Sequence, residues 1–139
     1  MDKEKEGLKK VKVLIVDDDS FLLNMYSLKF QKAGFEVATS VSADDVLRRF
    51  KEGFVPDIIL LDIIMPGMSG LELLEQIRKE KLIPNSVVFI LSNQGQTSDI
   101  EQAKKLNVDG YIVKATTIPS EVVAEVVKVY KANANKVSA

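Results

Sequence analysis

The 139-residue chain contains no cysteine, no histidine and no tryptophan. Without cysteine there can be no disulfide, no thiolate metal site and no cysteine nucleophile. Without histidine, imidazole acid–base catalysis and imidazole metal ligands are excluded as well. No sign of charge dominates, because 19 Lys and Arg stand against 20 Asp and Glu. The protein therefore has no overall field directed at nucleic acid or an anionic membrane. No apolar run approaches the ~18 residues a membrane span needs. The charged start Met1-Asp2-Lys3-Glu4-Lys5-Glu6 lacks the apolar core of a signal peptide. These absences lead to the expectation of a cytoplasmic protein with no membrane and no direct nucleic-acid partner. The chemistry left to it is that of carboxylates, hydroxyls and ammonium groups.

What is present is organised around Ile58-Ile59-Leu60-Leu61-Asp62, followed at once by Met65-Pro66-Gly67. A short apolar run with this boundary reads as a strand buried on both faces, and the Pro/Gly turn forces the chain out of it. Apolar runs and helical patterns alternate through the rest of the chain. Val13 to Val16 is a strand ending in Asp17-Asp18-Asp19. A helix follows from about Ser20 to Ala33, with Asp19 as N-cap and Gly34 just past its end. Glu36 to Val41 alternates as an edge strand does, and Ser42 caps a helix to about Glu52. Gly70 to Lys79 buries Leu71, Leu74 and Ile77; Val87 to Leu91 is a strand ending in Ser92-Asn93. The helix from about Ser98 to Leu106 has only Ile100, Ala103 and Leu106 on its apolar side. Tyr111 to Val113 is a strand ending in Lys114, and a Val-rich helix runs from near Ile118 to Ala132. Residues 1–10 and 133–139 read as flexible tails around one domain, 11–132. Five strands alternating with five helices specify an α/β protein. The commonest arrangement at this size is the flavodoxin-like, doubly wound parallel sheet of order 2-1-3-4-5.

In such a sheet Asp17, Asp18, Asp62, Ser92 and Lys114 all fall at carboxyl ends of strands, on one edge. The first and third strands are neighbours, so three carboxylates converge. Two bare carboxylates about 5 Å apart repel by roughly 3 kcal/mol at an effective dielectric near 20, which calls for a cation or a shared proton. With oxygen ligands only, the fitting ion is hard, Mg²⁺ above all. A carboxylate nucleophile beside Mg²⁺, a hydroxyl and an ammonium is equipped for phosphoryl transfer.

The motifs Val16-Asp17-Asp18-Asp19, Leu61-Asp62 through Ser69-Gly70, Leu91-Ser92-Asn93 and Gly110-Tyr111-Ile112-Val113-Lys114 together resemble the receiver domain of bacterial two-component response regulators, over about Val11 to Tyr130. The resemblance implies a stand-alone, chemotaxis-regulator-like receiver in which Asp62 accepts a phosphoryl group. The donor would be a sensor histidine kinase or a histidine phosphotransfer protein. It further implies that Asp18, Asp62 and the carbonyl of Ile64 bind Mg²⁺ directly, with Asp17 acting mainly through water. Ser92 and Lys114 would bind the phosphoryl oxygens, and Ser92 and Tyr111 would form the switch. The chain departs from the family pattern in two places. Ala115 follows Lys114 where relatives usually carry Pro, and Ile64 stands two residues past Asp62 where many carry a polar side chain. A trans Lys114–Ala115 bond is expected, since a cis bond before Ala costs roughly 2.5–4 kcal/mol.

Two other protein classes share part of this pattern. A haloacid-dehalogenase-like phosphohydrolase also uses an Asp nucleophile on Mg²⁺, but wants a second Asp where Ile64 stands. A flavodoxin-like cofactor binder needs a phosphate cradle after the first strand, where Asp17-Asp18-Asp19 would repel phosphate. No DNA-binding helix-turn-helix follows Tyr130, so the expected readout is contact with a downstream protein. The expected signalling face is the sparsely apolar fourth helix, the fifth strand and the outer side of the last helix.

Overall fold

The computed structural model describes residues 11–93 and 97–138, so the expectation of a tail over residues 1–10 lies outside the described residues. The strands are β1 (Lys12–Val16), β2 (Glu36–Ser40), β3 (Ile58–Leu61), β4 (Val87–Ser92) and β5 (Gly110–Val113). The helices are α1 (Ser20–Lys32), α2 (Ala43–Lys51), α3 (Gly70–Lys79), α4 (Thr97–Lys105) and α5 (Pro119–Ser138). All strand pairs are parallel, in the order β2-β1-β3-β4-β5.

Because side chains alternate along a strand, each buried apolar run feeds two cores. Leu14, Val16, Ile59, Leu61, Val88 and Ile90 face α2, α3 and α4. Val13, Ile15, Ile58, Leu60, Val87, Phe89 and Leu91 face α1 and α5. β2, the edge strand expected from its alternation, is less buried than the three central strands. The predicted caps are in place: Asp19 accepts from the amides of Phe21 and Leu22, and Ser42 from that of Asp45. Gly34 takes φ +103°, the left-handed conformation that ends α1.

One boundary differs. α5 continues through Ser138, six residues past Ala132, where a tail was expected from 133. Neither Gly nor Pro follows Ala132 to stop it. The Asn133 amide also donates to Asp109 at 3.1 Å, a tertiary tie that favours continuing the helix.

Candidate phosphoryl-transfer site

Asp17, Asp62, Ser92 and Lys114 stand at the carboxyl ends of β1, β3, β4 and β5. The Asp17 amide donates to the Ser40 carbonyl at 3.1 Å, and the Asp62 amide to the Val16 carbonyl at 3.0 Å. These bonds carry the parallel ladder one residue beyond β1 and β3 and bring the two aspartates side by side. Ser40 is itself held by Arg49, whose Nε donates to the Ser40 hydroxyl at 3.0 Å and whose Nη2 donates to the Thr39 carbonyl at 2.9 Å. The loop after Asp62 returns onto it at Gly70, whose amide donates to the Ile63 carbonyl at 2.8 Å. A Cβ on Gly70 would stand 1.9 Å from the Asp62 carbonyl oxygen, so only glycine permits this return. Ser69 and Glu72 then start α3 with a reciprocal capping box.

The charged groups form one constellation. Asp17 and Asp62 are buried, and Asp18 is exposed at the mouth. One carboxylate oxygen from each lies within 4.8 Å of the others. Lys114, with a side chain only 6% exposed, places its Nζ 2.5 Å from Asp17 Oδ2 and 3.5 Å from Asp62 Oδ1. Asp17 Oδ1 accepts the Asp19 amide at 2.9 Å, so both oxygens of Asp17 are engaged by the protein. Burial does most to push the Asp62 carboxyl up to about 6, with Lys114 pulling it down and Asp17 and Asp18 pushing it up. For Lys114, burial works against the charged form, but hydrogen bonding and attraction from Asp17 and Asp62 outweigh it, and its pKa is raised.

Ser92 is buried at the end of β4. Tyr111 on β5 is half-buried against the core on the α3–α4 side. Ile64 sits on the loop after Asp62 with its side chain 71% exposed. The bond after Lys114 is trans, as expected, there being no cis peptide among the described residues. The chain instead enters a short 3₁₀ turn at Lys114–Thr116. One neighbour of the site was not singled out from sequence. Tyr26 of α1 is 2% exposed, and the charges of Lys114 and Asp17 both act on its phenol. In the sequence it reads only as one member of the apolar stripe Leu23, Tyr26, Phe30.

The sequence model of the response regulator receiver domain matches residues 13–127. The chain belongs to that family. A chemotaxis protein CheY from Thermotoga maritima is 36% identical over 121 residues, 86% of this chain and 98% of that protein. The alkaline phosphatase synthesis transcriptional regulatory protein PhoP of Bacillus subtilis is 29% identical over 83% of this chain, which spans 46% of that relative's length. Among solved structures, a CheY-like receiver domain protein from Methanospirillum hungatei superposes with a TM-score of 0.81 at 24% identity, covering 91% of this chain and 98% of that one; this likeness speaks for the fold alone.

The protein is a receiver and thus a phosphorylation-activated signalling switch, and the phosphohydrolase reading finds no support. A receiver works with a phosphodonor kinase and a downstream target. Among the described residues no helix is long and apolar enough to cross a membrane.

Proposed function

We propose that Asp62 is the phosphoacceptor and that this receiver takes its phosphoryl group from the phosphohistidine of a sensor histidine kinase or a histidine phosphotransfer protein. The observation that carries the reading is the buried Asp62 carboxylate, with the Lys114 ammonium 3.5 Å away and two further aspartates within 4.8 Å. An Asp62 oxygen forms the new P–O bond as the P–N bond to the donor imidazole breaks, and the imidazole takes a proton from solvent. Lys114 and the Ser92 hydroxyl stabilise the charge spread over the phosphoryl oxygens.

The donor set fits Mg²⁺, since three carboxylates with no nitrogen or sulfur ligand suit a hard ion that keeps several waters. Asp18, Asp62 and the Ile64 carbonyl would hold it. Asp17, whose oxygens are already taken by Lys114 and the Asp19 amide, would act through water. Bound Mg²⁺ would offset the repulsion among the carboxylates and the charge of the incoming phosphoryl group. This receiver would catalyse only its own phosphorylation and dephosphorylation.

Output would run through Ser92 and Tyr111 to the face formed by α4, β5 and the outer side of α5, read by contact with a downstream protein. Ala103 is the one fully buried residue of α4, so that helix is weakly held and suited to move. Incubation with Mg²⁺ and phosphoramidate should add one phosphate by intact mass in the parent and none in Asp62→Asn. Equal uptake by the variant would refute the assignment. Ser92→Ala should keep Mg²⁺ binding while blunting the phosphorylation-induced NMR shifts around Tyr111.

A further inference from the structure

β2 lies at the edge of the sheet, and its one buried residue is polar: Ser40, 2% exposed, at the end next to Asp17. A network from α2 fastens it there. The Ser40 hydroxyl donates to Asp45 Oδ2 at 2.6 Å and accepts from Arg49 Nε at 3.0 Å. Arg49 Nε also donates to Asp45 Oδ2 at 3.3 Å, and its Nη2 donates to the Thr39 carbonyl at 2.9 Å. The guanidinium lies over the ring of Phe54, 5.7 Å from its centre, so a planar fork that is itself held in place grips two successive residues of β2. Arg48 pairs with the other oxygen of Asp45, which leaves both carboxylate oxygens engaged.

This network reaches the site through one backbone bond. The Asp17 amide donates to the Ser40 carbonyl at 3.1 Å, and that bond carries the β1–β2 ladder one residue past β1. Ladders are least stable at such ends, and Asp17 is also pressed to move. It is buried in a cluster with Asp62 and Asp18, and like charges at this range repel. Lys114 holds the Asp17 carboxylate, whereas the Asp17 backbone is anchored on the Ser40 carbonyl. The stiffness of that anchor is set by Arg49 and Asp45.

We propose that Arg49, together with Ser40 and Asp45, is a positioning network for Asp17: it holds the Ser40 carbonyl in place and thereby fixes where Asp17 presents its carboxylate to the cation site. The inference rests on the reading of the aspartate cluster as the Mg²⁺ and phosphoryl site. It adds residues on α2 that act on that site through Asp17.

The test uses two variants of the full chain. Arg49→Met keeps an apolar stem against Phe54 and removes the fork and the charge; Ser40→Ala removes the hydroxyl and leaves the charge. In metal-free protein, native-state hydrogen exchange should show the protection of the Asp17 amide falling roughly three- to tenfold relative to amides within β1 in Arg49→Met, the size of one modest hydrogen bond. Calorimetry should show Mg²⁺ affinity weakened over the same range in Arg49→Met, and about two- to threefold in Ser40→Ala. The direction is decisive, because removing a positive charge that acts only through space would tighten the binding of a cation. Tighter binding in Arg49→Met therefore overturns the proposal. Unchanged Mg²⁺ affinity in both variants, with only a uniform loss of protection along β1, marks a purely structural network and overturns it too. If Arg49→Met does not fold, Ser40→Ala is read by the same two measurements. A parent that takes up neither Mg²⁺ nor phosphate sinks the functional reading, whereas a parent that takes up both, with neither variant moving Asp17 protection or Mg²⁺ affinity, sinks this inference alone.

Discussion

Aspartates stand at both edges of the sheet, in different company. At the amino-terminal edge, Asp57 precedes β3 and accepts the Lys12 amide at 2.8 Å, while Asp109 precedes β5 and accepts the Val88 amide at 2.8 Å. Each closes a strand pair by giving a backbone N–H an acceptor. At the carboxyl-terminal edge, Asp62 faces an ammonium and two other carboxylates, and the charge of Asp17 and Asp18 adds to the cost of its burial. The same residue type is structural where a backbone donor meets it. Where the fold gathers like charges around it, the carboxylate is left needing a cation, the setting in which Asp62 is proposed to accept phosphate. Position at a strand end does not separate the two cases; the neighbours do.

Removing the cation should have the largest effect on stability. Lys114→Met leaves Asp17 and Asp62 buried and facing each other. In metal-free protein at neutral pH it should cost about 3 kcal/mol in urea unfolding, the lower end for breaking a buried pair, since Asp62 can take up a proton. A loss of only a few tenths would mean that Lys114 does not compensate these carboxylates.

The next effect is a pH dependence of the metal-free protein. The folded-state pKa of Asp62 is about 6, above the ordinary 3.8. The native state therefore holds a proton that the unfolded chain has already lost. Its contribution is fully present below about 3.8 and is lost as pH rises through about 6, on the order of 2–3 kcal/mol in all. Asp62→Asn should flatten this part of the profile and be more stable than the parent at pH 7. Added Mg²⁺ should stabilise the parent more than the variant. Superimposable profiles for parent and variant would contradict the raised pKa of the Asp62 carboxyl.

The other edge should respond with the opposite sign. Asp109→Ala strands the Val88 amide and should cost about 1–2 kcal/mol, with no change in the rate of phosphorylation by phosphoramidate. The smallest effect is expected for Asn133→Ala, which removes an exposed bond to Asp109 and should cost about 0.5 kcal/mol or less.

The β3 strand was legible because Ile58 to Leu61 is an unbroken apolar run stopped by Asp62 and a Pro/Gly turn. The five strands and the pairing order followed from alternation with helices, so the gathering of Asp17, Asp18, Asp62 and Lys114 on one edge could be read as well. The division of labour within the cluster could not. That Asp17 holds Lys114 at 2.5 Å while Asp62 stands at 3.5 Å depends on side-chain geometry set by packing. The end of α5 was missed for a related reason: Asn133 is a poor helix former locally, and its partner Asp109 is distant in sequence. Tyr26 escaped notice because periodicity assigns a stripe position without saying what lies across from it.

Of the aspartates at the two edges, the one proposed to accept phosphate is the buried Asp62 at the carboxyl-terminal edge. Its most direct test is to phosphorylate the parent with phosphoramidate and Mg²⁺, trap the acyl phosphate by borohydride reduction, and locate the reduced residue by tandem mass spectrometry of peptides. A single modified residue, Asp62, is expected. Reduction at Asp17 or Asp18, or spread across surface carboxylates such as Asp57 and Asp109, would contradict it.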